Sequence, residues 1–183
     1  MKLIVAITAA SGAIYARQIV AHALADHSVQ SVAVIYSTSA REVMEYEGEH
    51  IAPHPKIVEL DNDNLFAAPA SGSAGYDAMI IAPASMGTIG RIASGVSESL
   101  ISRAADVMLK ERRRLVIVAR ETPLSLIHLR NMTTLAECGA IILPASPSYY
   151  SKPQSVEQLA QSVSTRAAQM VGVECESYEW VGE

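Results

Sequence analysis

A cluster of positive charges in the middle of the chain is the strongest chemical signal in this sequence. Six of the fourteen Lys and Arg residues lie between Arg103 and Arg120, in a chain with a formal net charge of −5. A local group of cations in an acidic protein favours a small anionic ligand, whereas nucleic acid usually requires a broad basic surface. Arg112, Arg113 and Arg114 also fit the solvated end of a helix, where cations are favourable.

The remaining cations of this cluster are placed as a binding site would require. Arg120 and Glu121 follow the apolar run 115–119, which predicts a buried strand. The carboxyl ends of strands in α/β proteins usually hold ligands, so this charged pair is a candidate site. Arg103 and Lys110 are two turns apart on nearly one face of the predicted helix 97–112.

Small and hydroxylated residues follow three other apolar runs. They are the segments 9–12, 37–39 and 84–88. A tight loop of small residues between a strand and a helix can bind phosphate through backbone N–H groups. The first segment has one glycine instead of the three of a dinucleotide fingerprint, and Ser11 also fits an ordinary helix N-cap. Likewise Ser39 and Glu42 have the spacing of a capping box.

The elements that would position these residues alternate regularly along the chain. The predicted strands are 2–8, 29–36, 77–83, 115–119 and 140–143, and the predicted helices are 13–26, 40–48, 87–94, 97–112, 123–137 and 155–171. Between them, 49–76 is expected to be irregular, with a short strand candidate at 57–60. This alternation predicts one domain, 1–183, with a three-layer α/β/α fold around a parallel sheet.

Composition excludes several other classes of protein. No apolar run reaches the roughly 18 residues of a membrane span, and the apolar N-terminus is expected to be the first strand. Cys138 and Cys175 lack ligand spacing, and no His pairs with another ligand type at metal spacing. We therefore expect no metal, no membrane association and a reducing, cytoplasmic location.

Taken together, these residues predict a mononucleotide site beside a second anion. The small residues allow close approach of the backbone to a flat ring, while hydroxyls bind a phosphate. The cations Arg103, Lys110, Arg120 and Arg166 are too many for one phosphate monoester. Tyr150 follows a proline-rich loop and can donate a hydrogen bond to the second anion, although a half-buried aromatic lid explains it equally well.

Several motifs in this chain resemble those of the UbiX-type flavin prenyltransferases. The central ones are Ala104-Ala-Asp-Val, Leu109-Lys-Glu-Arg-Arg and Arg120-Glu-Thr-Pro-Leu-Ser. The opening Ile7-Thr-Ala-Ala-Ser-Gly-Ala-Ile-Tyr and the loop Ile142-Leu-Pro-Ala-Ser-Pro-Ser-Tyr-Tyr are also similar, so the resemblance covers essentially the whole chain. It implies a flavodoxin-like or Rossmann-like fold, FMN bound at subunit interfaces, and a homo-oligomer that is commonly a dodecamer.

The activity that the resemblance implies is a metal-independent transfer of the dimethylallyl group of dimethylallyl phosphate to reduced FMN. Bonds form at flavin N5 and C6, and the prenylated FMN serves a UbiD-type decarboxylase. Matching positions imply FMN binding by Ala9, Ala10, Ser11, Ser37, Ser85, Met86, Gly87, Thr88 and Arg120. They imply substrate binding by Arg103, Lys110, Arg120, Glu121, Tyr150, Arg166 and Trp180. The catalytic candidates are Ser11, Glu47, Lys110, Glu121 and Tyr150.

The chain departs from the family pattern at a few positions outside the cation set. Ala9 replaces the usual Gly, Ala84 stands where Cys is frequent, and Tyr149 replaces a common Phe. The alternative function is that of an FMN-dependent cysteine decarboxylase from a related group of flavoproteins. It would use FMN as an oxidant and would not need the cations. A non-catalytic FMN-binding module is a third possibility.

Overall fold

The structure, a computed structural model, describes residues 1–178 of the 183-residue chain. Six strands form the sheet: β1 Lys2–Ile7, β2 Ser31–Tyr36, β3 Ile57–Leu60, β4 Ala78–Ala84, β5 Arg114–Ala119 and β6 Ile141–Pro144. Six α-helices surround it: α1 Ala13–Ala25, α2 Ala40–Tyr46, α3 Met86–Ala93, α4 Leu100–Lys110, α5 Leu126–Glu137 and α6 Val156–Val171. None of these helices is long and apolar enough to cross a membrane.

All neighbouring strands are parallel, in the order β3-β2-β1-β4-β5-β6. The central strand β1 pairs with β2 and β4, so that Val5 lies beside Val34 and Ile80. Every residue of β4 is buried. Such continuous apolar strands are typical of a parallel sheet that is covered on both faces.

The side chains of β1 alternate between two cores, one on each face of the sheet. Leu3, Val5 and Ile7 pack with the residues of α1 and α6. Ile4 and Ala6 pack on the other face with residues of α3 and α4. The predicted three-layer α/β/α class, flavodoxin-like or Rossmann-like, is confirmed, and the strand order is that of the Rossmann sheet.

The structure confirms the strand candidate at 57–60 as a sixth strand of the sheet, and it corrects two other details of the predicted elements. Helix α5 begins at Leu126 with Ser125 as its N-cap, so the predicted start at Pro123 was wrong. The Ser39 side chain makes no capping hydrogen bond, and the predicted capping box with Glu42 is absent.

The strand order creates a crevice at one edge of the sheet. The chain leaves β1 toward α1 on one face, whereas it leaves β4 toward α3 on the opposite face. Since β1 and β4 are neighbours, their carboxyl ends flank a gap between the two departing connections. Ligands of α/β proteins usually bind in such a gap.

Substitution of Ile80 tests how much the buried strand β4 contributes to the stability of the fold. It is 0% exposed in the middle of β4, so Ile80→Ala should lower the free energy of unfolding by about 2–5 kcal/mol. Val58 on the edge strand β3 is 51% exposed, and Val58→Ala should cost much less. Urea unfolding monitored by circular dichroism measures both. Equal losses in the two variants would contradict this account of the core.

Candidate functional site

A carboxylate from a distant part of the chain organises the loop after β1. The backbone N–H of Gly12 donates to both Glu47 carboxylate oxygens at 3.0 Å, and the N–H of Ala13 donates at 2.7 Å. The Ser11 hydroxyl also hydrogen-bonds this carboxylate. Glu47 therefore caps α1, and the interpretation of Ser11 as its N-cap is wrong, because Gly12 occupies that position.

The same contacts control the protonation of Glu47. Burial raises its pKa, but hydrogen bonds from Ser11, Ala13 and Gly12, together with the charge of Arg120, lower the pKa below its ordinary value. Glu47 is thus held as an anion. Because the first N–H groups of α1 are engaged by this carboxylate, they are not open donors for a phosphate.

The Thr8 side chain links the two strands that flank the crevice. Its hydroxyl donates to the carbonyl oxygen of Pro83 at 2.7 Å and accepts the backbone N–H of Ser85 at 2.8 Å. Thr8 is 1% exposed, so these bonds are shielded from water. They fix the loop after β4 against the end of β1.

Backbone hydrogen bonds hold the loops after β2 and β5 at the same edge. The N–H of Ser37 donates to the carbonyl of Ile7 at 2.9 Å, and that of Arg120 donates to Ala84 at 3.1 Å. All the residues that resemblance assigned to FMN follow β1, β2, β4 or β5 at this edge. They are Ala9, Ala10, Ser11, Ser37, Ser85, Met86, Gly87, Thr88 and Arg120.

The hydroxyls after β4 cap helix α3. Ser85 accepts the backbone N–H of Thr88 at 3.4 Å and lies 3.1 Å from its hydroxyl. Arg91 donates to the Thr88 hydroxyl at 3.4 Å. Met86 and Thr88 are buried, whereas Gly87 is exposed. The hydrogen bonds of Ser85 thus fix the segment 85–88, which exposes backbone at Gly87.

Tyr15 is a neighbour of this site that sequence reasoning had not singled out. The pKa of Tyr15 is raised, mainly by burial. The nearby positive charge of Arg120 opposes this rise, while Glu47 and Tyr149 add to it. The phenol is thus close to three residues from different parts of the fold. Its ring also lies 2.7 Å from where a Gly12 Cβ would stand, at a backbone φ of 105°, so the turn requires glycine there.

The two α4 cations have polar partners in α4 or next to it. Arg103 donates to the Ala70 carbonyl at 3.1 Å and to Asp106 at 2.7 Å. Lys110 forms an ion pair with Glu111 at the end of α4, four residues before β5 begins. Lys110 consequently lies toward the amino end of β5, whereas Arg120 follows its carboxyl end.

Arg166 lies on the other face of the sheet. It is exposed on α6 and lines a cavity of about 1160 Å³ together with Ser148, Ser151 and Thr165. Helix α6 packs with α1, whereas α4 belongs to the opposite core. The predicted gathering of Arg103 and Lys110 with Arg166 is therefore not realised within one copy of the chain.

The other predicted substrate residues occupy exposed loops. Glu121 follows Arg120 at the crevice edge and accepts the backbone N–H of Thr122 at 2.9 Å. Tyr150 is 71% exposed in the loop after β6. Trp180 lies outside the described residues. Within residues 1–178, no group of three or more His, Cys, Asp or Glu side chains could hold a metal ion.

Comparison with known proteins decides the family. Residues 1–174 match the family described as Flavoprotein. The flavin prenyltransferase UbiX of Thermoplasma acidophilum is 43% identical over 94% of this chain and 96% of that protein. The flavin prenyltransferase LpdB of Lactiplantibacillus plantarum is 45% identical over 86% of both. The chain belongs to the UbiX family of flavoproteins.

Solved structures agree with this membership in the UbiX family. A dodecameric FMN-dependent UbiX-like decarboxylase of Escherichia coli O157:H7 has a TM-score of 0.93 and 34% identity, with both chains fully covered. AnUbiX, in complex with FMN and dimethylallyl pyrophosphate, has a TM-score of 0.85 and 36% identity over 98% of both chains. The cysteine decarboxylase TvaF is 15% identical with a TM-score of 0.67 over 93% of this chain and 98% of its own, a likeness of fold alone.

Replacing Glu47 tests its role as the cap of α1. Glu47→Gln should lower the free energy of unfolding by about 1 kcal/mol, as expected for a lost N-cap. Folding lowers the pKa of Glu47. The difference in free energy of unfolding between wild type and Glu47→Gln should therefore reach its full size above the ordinary pKa of 4.5. It should shrink as the pH falls through the lowered folded-state value.

The control for this variant is Glu45→Gln, which alters an exposed carboxylate on α2, two residues before Glu47. Thermal unfolding at several pH values measures all three proteins. A gap between wild type and Glu47→Gln that stays constant with pH would contradict a capping carboxylate.

Proposed function

We propose that this protein transfers the dimethylallyl group of dimethylallyl phosphate to reduced FMN and forms bonds at flavin N5 and C6. The observation that carries the proposal is the set of residues that meet at the crevice edge. There Ser11, Ser37, Ser85 and Arg120 come together in a member of a family whose relatives are flavin prenyltransferases. AnUbiX binds FMN together with a dimethylallyl donor, which supports the same pairing of ligands here.

The residues at the crevice fit a flavin mononucleotide. Ala9, Ala10 and Gly87 carry a methyl group or no side chain, so they leave the backbone open to a flat ring. Ser37 and Arg120 supply a hydroxyl and a charge for the phosphate, since Glu47 already engages the N–H groups of α1. When bound and reduced, FMN supplies the electron-rich N5 and C6 positions.

The cations outside the crevice suit the leaving phosphate. The allylic C–O bond breaks with its electron pair on the phosphate oxygen, and fixed positive charges stabilise that charge as it develops. Arg103, Lys110 and Arg166 supply the charges, and Tyr150 adds a hydrogen-bond donor. Hydrogen bonds between charged groups and phosphate are short and directional, so they also orient the allyl group.

Proton transfers fall to residues at the crevice. Formation of the bond at C6 requires loss of the proton there, and either the Glu121 carboxylate or the released phosphate accepts it. Ser11, whose hydroxyl is held by Glu47, relays a proton near flavin N5. An ionised Glu47 suits this role because it is ready to accept.

The separation of the cations within one chain implies a site shared between subunits. Arg103 and Lys110 belong to one face of the sheet and Arg166 to the other. We therefore assign them to different copies of the chain, meeting at a flavin bound between subunits. The dodecameric relative from Escherichia coli supports a dodecamer. The proposed enzyme is cytoplasmic, needs no metal and passes prenylated FMN to a UbiD-type decarboxylase.

The activity is tested by incubating the protein anaerobically with dithionite-reduced FMN and dimethylallyl phosphate. Mass spectrometry of the extracted flavin should find a product heavier than FMN by one C₅H₈ unit. A second incubation, with oxidised FMN and a peptide that ends in a C-terminal cysteine, tests for oxidative decarboxylation. Unchanged flavin, or loss of CO₂ from the peptide, would contradict the proposed transfer.

The role of the α4 cations is tested by Lys110→Gln. Removing one fixed charge from the leaving phosphate should lower kcat/KM for dimethylallyl phosphate by roughly 100-fold. Arg112→Gln is the matched control, because Arg112 is an exposed cation just beyond the same helix end and is expected to be solvated. Similar losses in both variants would indicate general attraction by positive charge instead of a specific contact.

A further inference from the structure

The C-terminal segment, residues 173–178, forms one wall of the cavity that contains Arg166. It has no helix or strand of its own after α6 ends at Val171. Glu174, Cys175, Glu176, Ser177 and Tyr178 all line the cavity, together with polar residues of α6. The position of this segment therefore determines the shape of the space around the Arg166 guanidinium.

Asp26, at the C-terminal end of α1, fastens this segment to the fold. One carboxylate oxygen accepts the backbone N–H of Glu174 at 2.9 Å, across 148 positions of sequence. The other oxygen accepts the backbone N–H of Ser28 at 2.7 Å. Asp26 is only 7% exposed, and both bonds are partly buried. Hydrogen bonds to a charged acceptor are stronger than neutral ones, particularly where water is excluded.

Side chains of α6 hold the rest of the segment. The Gln169 amide donates to the Cys175 carbonyl at 3.3 Å and to the Ser177 hydroxyl at 3.0 Å. The Cys175 thiol contacts the Thr165 carbonyl at 3.7 Å. These contacts involve neutral groups on a nearby helix, whereas Asp26 provides a charged acceptor from a separate element. Asp26 is therefore the strongest single tie between the segment and α1.

We propose that Asp26 is a positioning residue for substrate binding, because its carboxylate holds the C-terminal segment in place as a wall of the Arg166 cavity. This inference rests on the proposed function, in which Arg166 binds the phosphate of dimethylallyl phosphate. Asp26 acts through the segment and contacts neither substrate nor flavin.

The variant Asp26→Asn removes the charge with little change of shape. An amide has one accepting oxygen and a donating NH₂ group, so it can satisfy only one of the two backbone N–H groups without facing the other with a donor. The variant should raise KM for dimethylallyl phosphate by roughly tenfold, the value of one hydrogen bond to a charged group. It should leave kcat and the dissociation constant of FMN unchanged.

Asp77→Asn is the matched control. Asp77 also accepts a backbone N–H, that of Lys2 at 2.7 Å, but it stands at the beginning of β4. Both substitutions should lower thermal stability. Hydrogen–deuterium exchange followed by mass spectrometry should accelerate across residues 173–178 in Asp26→Asn only, and KM should rise in that variant only.

The outcomes separate this inference from the proposed function. If wild type makes prenylated FMN but KM or the exchange of residues 173–178 in Asp26→Asn matches that in Asp77→Asn, Asp26 merely stabilises the fold and the inference is overturned. If wild type makes no prenylated FMN, the proposed function fails and the positioning role fails with it.

Discussion

The structure depends on one constraint: a parallel sheet places all strand carboxyl ends at one edge and its helices on two faces. The constraint gathers Ser11, Ser85 and Arg120, which are far apart in sequence, beside the crevice between β1 and β4. It also separates Lys110 on α4 from Arg166 on α6, because the sheet lies between those helices. One edge of the chain thus suits a flavin, while the groups for a second anion face outward in two directions.

Glu47 takes the position at the start of α1 where a phosphate would otherwise be expected. A strand, a small-residue loop and a helix N-terminus usually suggest a phosphate held by backbone N–H groups. Here Gly12 and Ala13 donate to the Glu47 carboxylate instead. The helix is capped from within the protein, and the carboxylate lies beside Ser11 and close to the charge of Arg120. The loop is consequently rigid and carries a charged acceptor where proton transfer is proposed.

Sequence reasoning succeeded where a feature depends on local pattern. Apolar runs located all six strands, including the short β3, and the alternation of elements determined the fold class. It failed where a distant residue decides the outcome. Ser11 appeared to be a cap because nothing local indicates that Glu47, 35 positions after Gly12, takes that role. The anchor from Asp26 to Glu174 is equally invisible in a sequence pattern, since the two residues meet only after α1 and α6 pack together.

Helical periodicity in the sequence is also insufficient to locate the cations within the fold. It places Arg103 and Lys110 on nearly one face of α4, but it does not reveal which face of the sheet each helix covers. That choice is made by tertiary packing, which puts α6 with α1 and α4 with the other core. The resemblance to flavin prenyltransferases implies the missing element, a flavin bound between subunits, which stays a prediction for this chain.

A shared site is tested most directly by mixing subunits. Chains carrying Lys110→Gln and chains carrying Arg166→Gln, each expected to be strongly impaired alone, are co-expressed with different tags, and oligomers that contain both are purified. If each site takes these residues from different copies, random mixing should restore about a quarter of the wild-type transfer rate, because a quarter of interfaces pair two unaltered side chains. Mixed oligomers that remain as inactive as either variant alone would contradict the account.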